Sequence, residues 1–267
     1  MAGLSAAGLV QAADVRIATE GAYPPWNSVD TAGNLIGFEI ELANNLCERM
    51  GVECEIVAQD WDGIIPALTA GKYDVIMAGM SITEEREEVI SFTQAYANTP
   101  VSFGTMESTD LAGLALDIET INFAEVDEAE QAAIDAISAA LAGKTVGVQT
   151  ATTHENLVTS VFANADVRSY DTQDNMALDL ASGRVDAIVS ELSFIEDYQA
   201  RAGEGAGMVA FGPPLYGGVL GRGVGAGLRH EDTELRAQLS EAIAAAIADG
   251  TVKTLSEQWF GYDVTPK

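Results

Sequence analysis

Apolar positions along this chain follow two periods. Short apolar runs at 15–19, 55–57 and 73–77, bounded by turn formers, predict strands. Between them, apolar residues at 38, 42, 46 and 50 fall on one face of a helix over 37–50. A second helix is expected over 63–70, ended by Gly71. A similar series follows later: strands at 145–149, 167–170 and 187–189, with helices starting at Thr153 and covering 175–181. Strands alternating with helices imply a mostly parallel sheet. The two series share an echo. Leu68-Thr-Ala-Gly-Lys-Tyr-Asp-Val-Ile matches Leu180-Ala-Ser-Gly-Arg-Val-Asp-Ala-Ile: a helix end, a glycine, a basic residue, then a strand opening on Asp. That echo predicts two similar α/β lobes. Residues 107–143 form an acidic, alanine-rich insertion with a helix over 125–141. Helices over 235–247 and 251–260, separated by Gly250, close the chain.

With 267 residues and 48% hydrophobic content, the chain can bury one large core or two moderate ones. Asp and Glu number 41 against 13 Lys and Arg, a net charge of −28, which argues against nucleic acid and anionic membrane as partners. The acids are scattered, as on a solubility surface for a salty medium where repulsion is screened. Attraction of cationic ligands is the other reading. Residues 1–12 are small and apolar and end in Val10-Gln11-Ala12, which reads as a signal-peptide remnant. Of the two cysteines, a continuous helix would hold Cys47 and Cys54 about 10 Å apart. Gly51 would let the chain turn back and bring them together, closing a small loop that gains roughly 2.5 kcal/mol in the chain-entropy model. Two free buried thiols are the alternative. With only His154 and His230 in the chain, and no pair at metal-ligand spacing, neither a metal nor a cofactor is expected.

The candidate chemistry clusters where strands end, which in open α/β sheets is where ligands bind. The run 74–86 goes from a buried strand through Ala78-Gly79-Met80 to a helix start at Ser81 or Thr83. Arg86 then falls in the first turn, where a cation opposes the helix dipole. A residue so misplaced marks a candidate carboxylate receptor, although pairing with Glu85, Glu87 or Glu88 would also explain it. Gln149-Thr-Ala-Thr-Thr-His154 follows another strand, and Thr152 and Thr153 would present hydroxyls and helix-start amides, whether for a ligand or for capping alone. Tyr23, Trp26 and Trp61 could sandwich an apolar or cationic ligand stem, or simply pack in the core. Glu20 and Glu191 could hold an ammonium or guanidinium. Gly221-Arg-Gly-Val-Gly-Ala-Gly227 lacks the strand and the distant acid of a dinucleotide loop and reads as a close backbone crossing.

These residues converge on a resemblance. Residues 17–26, Gly37-Phe-Glu-Ile-Glu-Leu42, 61–68, Ser81-Ile-Thr-Glu-Glu-Arg86, 248–251 and Trp259-Phe260 are similar to the periplasmic binding proteins for polar amino acids that serve ABC importers. The resemblance covers nearly all of 14–265, and Gly37–Leu42 matches the family signature. It implies two lobes, each a mostly parallel sheet flanked by helices, joined by two hinge strands. One lobe would comprise 13–102 and 213–267, the other 103–212. It implies a disulfide between Cys47 and Cys54. It implies a ligand site of Glu20, Tyr23, Trp26, Trp61, Ala78, Gly79, Met80, Ser81, Arg86, Gln149, Thr152, Thr153, His154, Ser190 and Glu191. In that set Arg86 meets the α-carboxylate with Ser81 and Thr153, Glu191 the α-ammonium and Glu20 a cationic terminus. The insertion and His154 look more like the opine-binding branch. Basic-amino-acid members have serines where Ala78 and Gly79 stand, and the smaller residues open space near the α-nitrogen. The expectation is a monomeric periplasmic receptor that binds arginine, lysine, ornithine, octopine or nopaline and delivers it to a membrane permease. An enzyme on the same fold, of the cyclohexadienyl dehydratase kind, is the rival reading.

Overall fold

The structure is a computed structural model that describes residues 13–202 and 207–266. The expected signal-peptide remnant, 1–12, lies outside the described residues. Thirteen strands are named among those described. They are β1 (Val15–Thr19), β2 (Ser28–Val29), β3 (Leu35–Ile36), β4 (Cys54–Ala58), β5 (Val75–Ile76), β6 (Ser91–Phe92), β7 (Val101–Met106), β8 (Ile121–Asn122), β9 (Thr145–Gln149), β10 (Asp166–Tyr170), β11 (Ala187–Glu191), β12 (Met208–Tyr216) and β13 (Gly227–Leu228). The helices are α1 (Phe38–Met50), α2 (Ile64–Thr69), α3 (Glu84–Glu87), α4 (Glu128–Leu141), α5 (Thr153–Val161), α6 (Gln173–Ala181), α7 (Leu192–Ala202), α8 (Thr233–Ala248) and α9 (Thr251–Phe260).

The strands form two sheets, one in each lobe. The first has the order β4-β1-β5-β13-β6 and the second β10-β9-β11-β7-β12-β8, while β2 and β3 make a small hairpin. Within the first sheet β1 runs parallel to β4 and β5; within the second, β9 runs parallel to β10 and β11. The two strands that the sequence echo marks are placed alike, β5 parallel to β1 and β11 parallel to β9. Apolar faces bury against them. In the first lobe α1 packs on α8 and α9 and buries Leu42 and Leu46. In the second, Ile137, Leu141, Val146, Leu157 and Phe162 share one core. The insertion is part of that core: Asp127 and Glu130 form a capping box at the start of α4, and β8 extends the sheet by pairing parallel with β12.

Two antiparallel segments join the lobes. Ala97 bridges Val224, and Val101 pairs with Leu215. Prolines 213 and 214 mask β12 in the sequence, yet they fall where its register shifts, between Phe211 and Leu215. Proline is tolerated in a sheet at such an irregularity, where no ladder N–H is required. The glycine run 221–227 packs against this crossing. A side chain at Gly221 would place a Cβ 2.5 Å from the Ile82 carbonyl oxygen. At the end of α1, Gly51 adopts φ 71° and turns the chain back, so that Cys47 and Cys54 are disulfide-bonded with Cα atoms 6.1 Å apart.

Candidate functional site

Four strands end at the interlobe cleft, and each delivers chemistry there. Glu20 follows β1, Ala78 and Gly79 follow β5, Gln149 ends β9, and Glu191 ends β11. The expected strand 73–77 is only Val75–Ile76, because Gly79 turns the chain at φ 61°. A side chain on Gly79 would also press a Cβ to 3.2 Å from the Tyr23 ring. Ser81 and Arg86 follow, then α5 opposes them from the other lobe. Thr152 caps α5: its hydroxyl accepts from the Glu155 amide at 3.3 Å and donates to the Gln149 carbonyl at 2.6 Å.

A cavity lies between the lobes, with about 330 Å³ of empty space when the open solvent at its mouth is counted. It is lined by Glu20, Tyr23, Trp61, Ala78, Gly79, Ser81, Arg86, Gln149, Thr152, Thr153, His154 and Glu191, together with Gln173. Trp26, Met80 and Ser190 stand behind it instead, each 0% exposed. Trp26 packs edge-on against Phe38 and Phe260, with ring centroids 5.7 and 5.0 Å away, and its indole N–H donates to Glu191 Oε2. Its contribution to the cavity is therefore to orient a carboxylate.

Arg86 is placed by contacts rather than by a helix dipole. The helix that carries it is a single turn, too short for aligned peptides to sum. Its guanidinium donates to the Ser81 carbonyl at 2.8 Å and to the Ala151 carbonyl at 3.3 Å, and lies 5.3 Å from the centre of the Trp61 ring. Ala151, in the left-handed region at φ 56°, turns that carbonyl toward it. None of the ion pairs among the described residues includes Arg86. The neighbouring glutamates that could have neutralised it do not, although Glu85 favours its charge from a distance. Burial pulls its pKa down to about 10, and burial with the nearby Arg86 pulls His154 down to about 4, so the imidazole is neutral at pH 7.

Opposite these stand carboxylates. Burial pushes Glu191 up to about 8, against the hydrogen bond from Trp26 that favours its charge. Burial likewise pushes Glu20 up to about 7, against the hydrogen bond from Gln149. Glu20 Oε1 accepts from Gln149 Nε2 at 2.7 Å, while Oε2 is buried without a partner among the described residues. His154 Nδ1 and Gln173 Oε1 are in the same state. Buried polar atoms are nearly always paired, so these atoms are ones that water or a ligand would complete.

Two residues escaped the sequence reading. Glu39 of the signature segment does not line the cavity but organises it. Its carboxylate accepts from the Gly79 amide at 2.8 Å, Asn27 Nδ2 at 2.8 Å and the Tyr96 hydroxyl, and Asn27 in turn holds the Gly21 amide at 2.7 Å. One buried acid thus ties the loop after β1 to the loop after β5. Gln173 begins α6, one residue past its N-cap Thr172. Thr172, a preferred N-cap residue whose side chain accepts from the Asn175 amide, is a signal that would have started this helix two residues earlier than the periodicity did.

The family model for bacterial extracellular solute-binding proteins, family 3, matches residues 15–262. The octopine-binding periplasmic protein of Rhizobium meliloti is 42% identical over 276 residues, covering 96% of this chain and 93% of that one. The L-arginine-binding protein of Pseudomonas aeruginosa is 34% identical, covering 94% and 89%. A solved periplasmic His/Glu/Gln/Arg/opine family-binding protein from Silicibacter pomeroyi, in complex with lysine, superposes with a TM-score of 0.75 at 35% identity, covering 95% of this chain and all of that one.

Proposed function

The chain belongs to the bacterial extracellular solute-binding proteins of family 3, and from that premise we propose that it is the periplasmic receptor of an ABC importer for a basic amino acid or an arginine-derived opine. It does no chemistry of its own. It acts as a monomer, with 13–102 and 213–267 as one lobe and 103–212 as the other, and hands its ligand to a membrane permease. The observation that carries the reading is the charge arrangement. Two buried carboxylates, Glu20 and Glu191, face a cavity whose one guanidinium, Arg86, has no acidic partner among the described residues. An amino acid with a cationic side chain supplies the missing complement: a carboxylate for Arg86 and the start of α5, an ammonium for Glu191 and a second cation for Glu20. A buried charge is tolerated when it is paired, so ligand favours the closed lobes over the open ones. Tyr23 and Trp61 would flank the side chain. The small Ala78 and Gly79 leave the α-nitrogen room for a substituent, which keeps octopine and nopaline in the ligand set.

Calorimetry tests this. Arginine, lysine, ornithine, octopine or nopaline should bind far more tightly than glutamate, glutamine or leucine. Arg86→Ala should abolish binding with the fold intact, since losing a buried charged contact costs about 2–5 kcal/mol. A tight neutral or acidic ligand, turnover of prephenate or arogenate, or an Arg86→Ala protein weakened less than about tenfold would defeat the assignment.

A further inference from the structure

The amide of Gln149 is fixed by its neighbours. Its Nε2 donates to the Glu20 carboxyl at 2.7 Å and to the Asp171 main-chain carbonyl at 2.9 Å, and the carbonyl, which can only accept, sets the orientation. Its oxygen must then be the acceptor that faces Gln173, whose Nε2 donates to it at 2.9 Å. That leaves Gln173 with no choice of orientation. Its own oxygen is turned away from Gln149, buried, and without a partner among the described residues. Gln173 is 1% exposed and lines the cleft cavity. At the other end of the same chain of bonds, Glu20 Oε2 is buried and equally unpartnered. Two acceptors from opposite lobes therefore wait for donors, with the Gln149 amide wedged between them.

We propose that Gln173 is a specificity-determining residue which, together with Glu20, reads a guanidinium at the far end of the ligand, so that the site selects arginine and its N-substituted derivatives over lysine and ornithine. The inference rests on the reading of the site as a receptor for cationic amino acids and narrows it. An ammonium is a point donor: its three N–H groups fan out from a single nitrogen, and acceptors must gather around that point. The two side chains are instead held apart by the Gln149 amide, which bonds Glu20 Oε1 through its Nε2 at 2.7 Å and Gln173 Nε2 through its Oε1 at 2.9 Å. A guanidinium is planar and spreads five N–H donors across a rigid fork, which can give one edge to Glu20 and another to Gln173. Lysine would satisfy Glu20 and leave Gln173 buried and unpaired, the circumstance in which polar sites discriminate most strongly.

Calorimetry on the wild-type protein should give arginine at least tenfold tighter binding than lysine or ornithine. Gln173→Met keeps the length and removes the amide. It should weaken arginine and octopine tenfold or more and change lysine less than threefold, and the retained lysine affinity would show that the variant folds. Wild-type protein that binds lysine as tightly as arginine overturns the inference while leaving the receptor reading intact. So does a Gln173→Met protein that loses arginine and lysine in equal measure. Failure of the wild-type protein to bind any of these cationic ligands would defeat the receptor reading, and the inference with it. If Gln173→Met does not fold, the wild-type arginine-to-lysine ratio decides the question alone.

Discussion

Glu39, in the first turn of α1, and Glu20, just past β1, are both acids almost closed off from solvent, at 1% and 8% exposure. Burial raises the pKa of both. Their partners differ. Glu39 is ringed by an amide N–H, a side-chain amide and a phenol that all belong to its own lobe. Glu20 has one partner, Gln149, which comes from the other lobe, and one oxygen with none among the described residues. A carboxylate saturated by its own lobe holds loops in place whether the cleft is open or shut. A carboxylate left half-satisfied, and completed only across the cleft, is the arrangement that we propose serves binding. Burial alone does not separate the two roles; the origin and number of donors do.

The largest expected effect of breaking that contrast is at Glu39. Glu39→Ala would strand three donors, each costing about 1–3 kcal/mol when buried and unpaired. At about 2–4 °C per kcal/mol for a chain of this size, the melting temperature should fall by roughly 6–12 °C or more. Arginine affinity should fall too, because Gly79 loses its anchor. Scanning calorimetry that finds Glu39→Ala as stable as wild type would remove the organising role. At Glu20 the pattern should invert. Glu20→Gln should cost tenfold or more in arginine affinity, about 1.4 kcal/mol at least, yet leave the melting temperature of the ligand-free protein at pH 8 unchanged or raised, since it deletes a buried charge. Neutral ligands should hardly notice. A Glu20→Gln protein that melts early and binds arginine normally would exchange the two roles.

The sequence shows one of these acids more clearly than the other, and for a physical reason. Glu20, Tyr23, Gln149, Thr152 and Glu191 sit at strand ends, and strand ends are legible from apolar runs followed by turn formers. The parallel strands and the helices α1, α5, α8 and α9 are legible for the same reason: each has a clean period. Glu39 lies inside a helix whose period is carried by other residues, and its partners Asn27, Gly79 and Tyr96 come from 12 to 57 positions away. No local pattern announces such a hub. β12 was hidden by Pro213 and Pro214, whereas β7 opens on an apolar–polar alternation, Val101-Ser-Phe-Gly104, that does signal a strand. α7 follows β11 without an intervening turn, so nothing marks its start. Arg86 was singled out by a dipole argument that the one-turn α3 does not sustain; what sets it apart is that the acids beside it in sequence point elsewhere, Glu87 pairing with Arg222 at 2.9 Å.

The smallest effect concerns closure itself. In the closed cleft without ligand, Glu20 and Glu191 have pKa values raised to about 7 and about 8 from 4.5. Their protonated forms favour closure, so this contribution is full at low pH and is lost as pH rises through 7 to 8. His154, lowered to about 4 from 6.5, acts in the opposite sense, but only below pH 6.5. Between pH 6.5 and 8.5 the two carboxylates therefore act without opposition from the imidazole. Ligand-free protein should open as pH rises across that window, seen as a larger radius of gyration by small-angle X-ray scattering. With saturating arginine both carboxylates gain cationic partners, their pKa values fall below the window, and the radius should stay small at both ends of it. Glu20→Gln should reduce the pH response of the empty protein by roughly a third, because Glu191, with the higher pKa, carries the larger part of it across this window. A ligand-free radius that does not change between pH 6.5 and 8.5 would mean that the lobes do not meet over these carboxylates when the cleft is empty, and that closure is driven by the ligand alone.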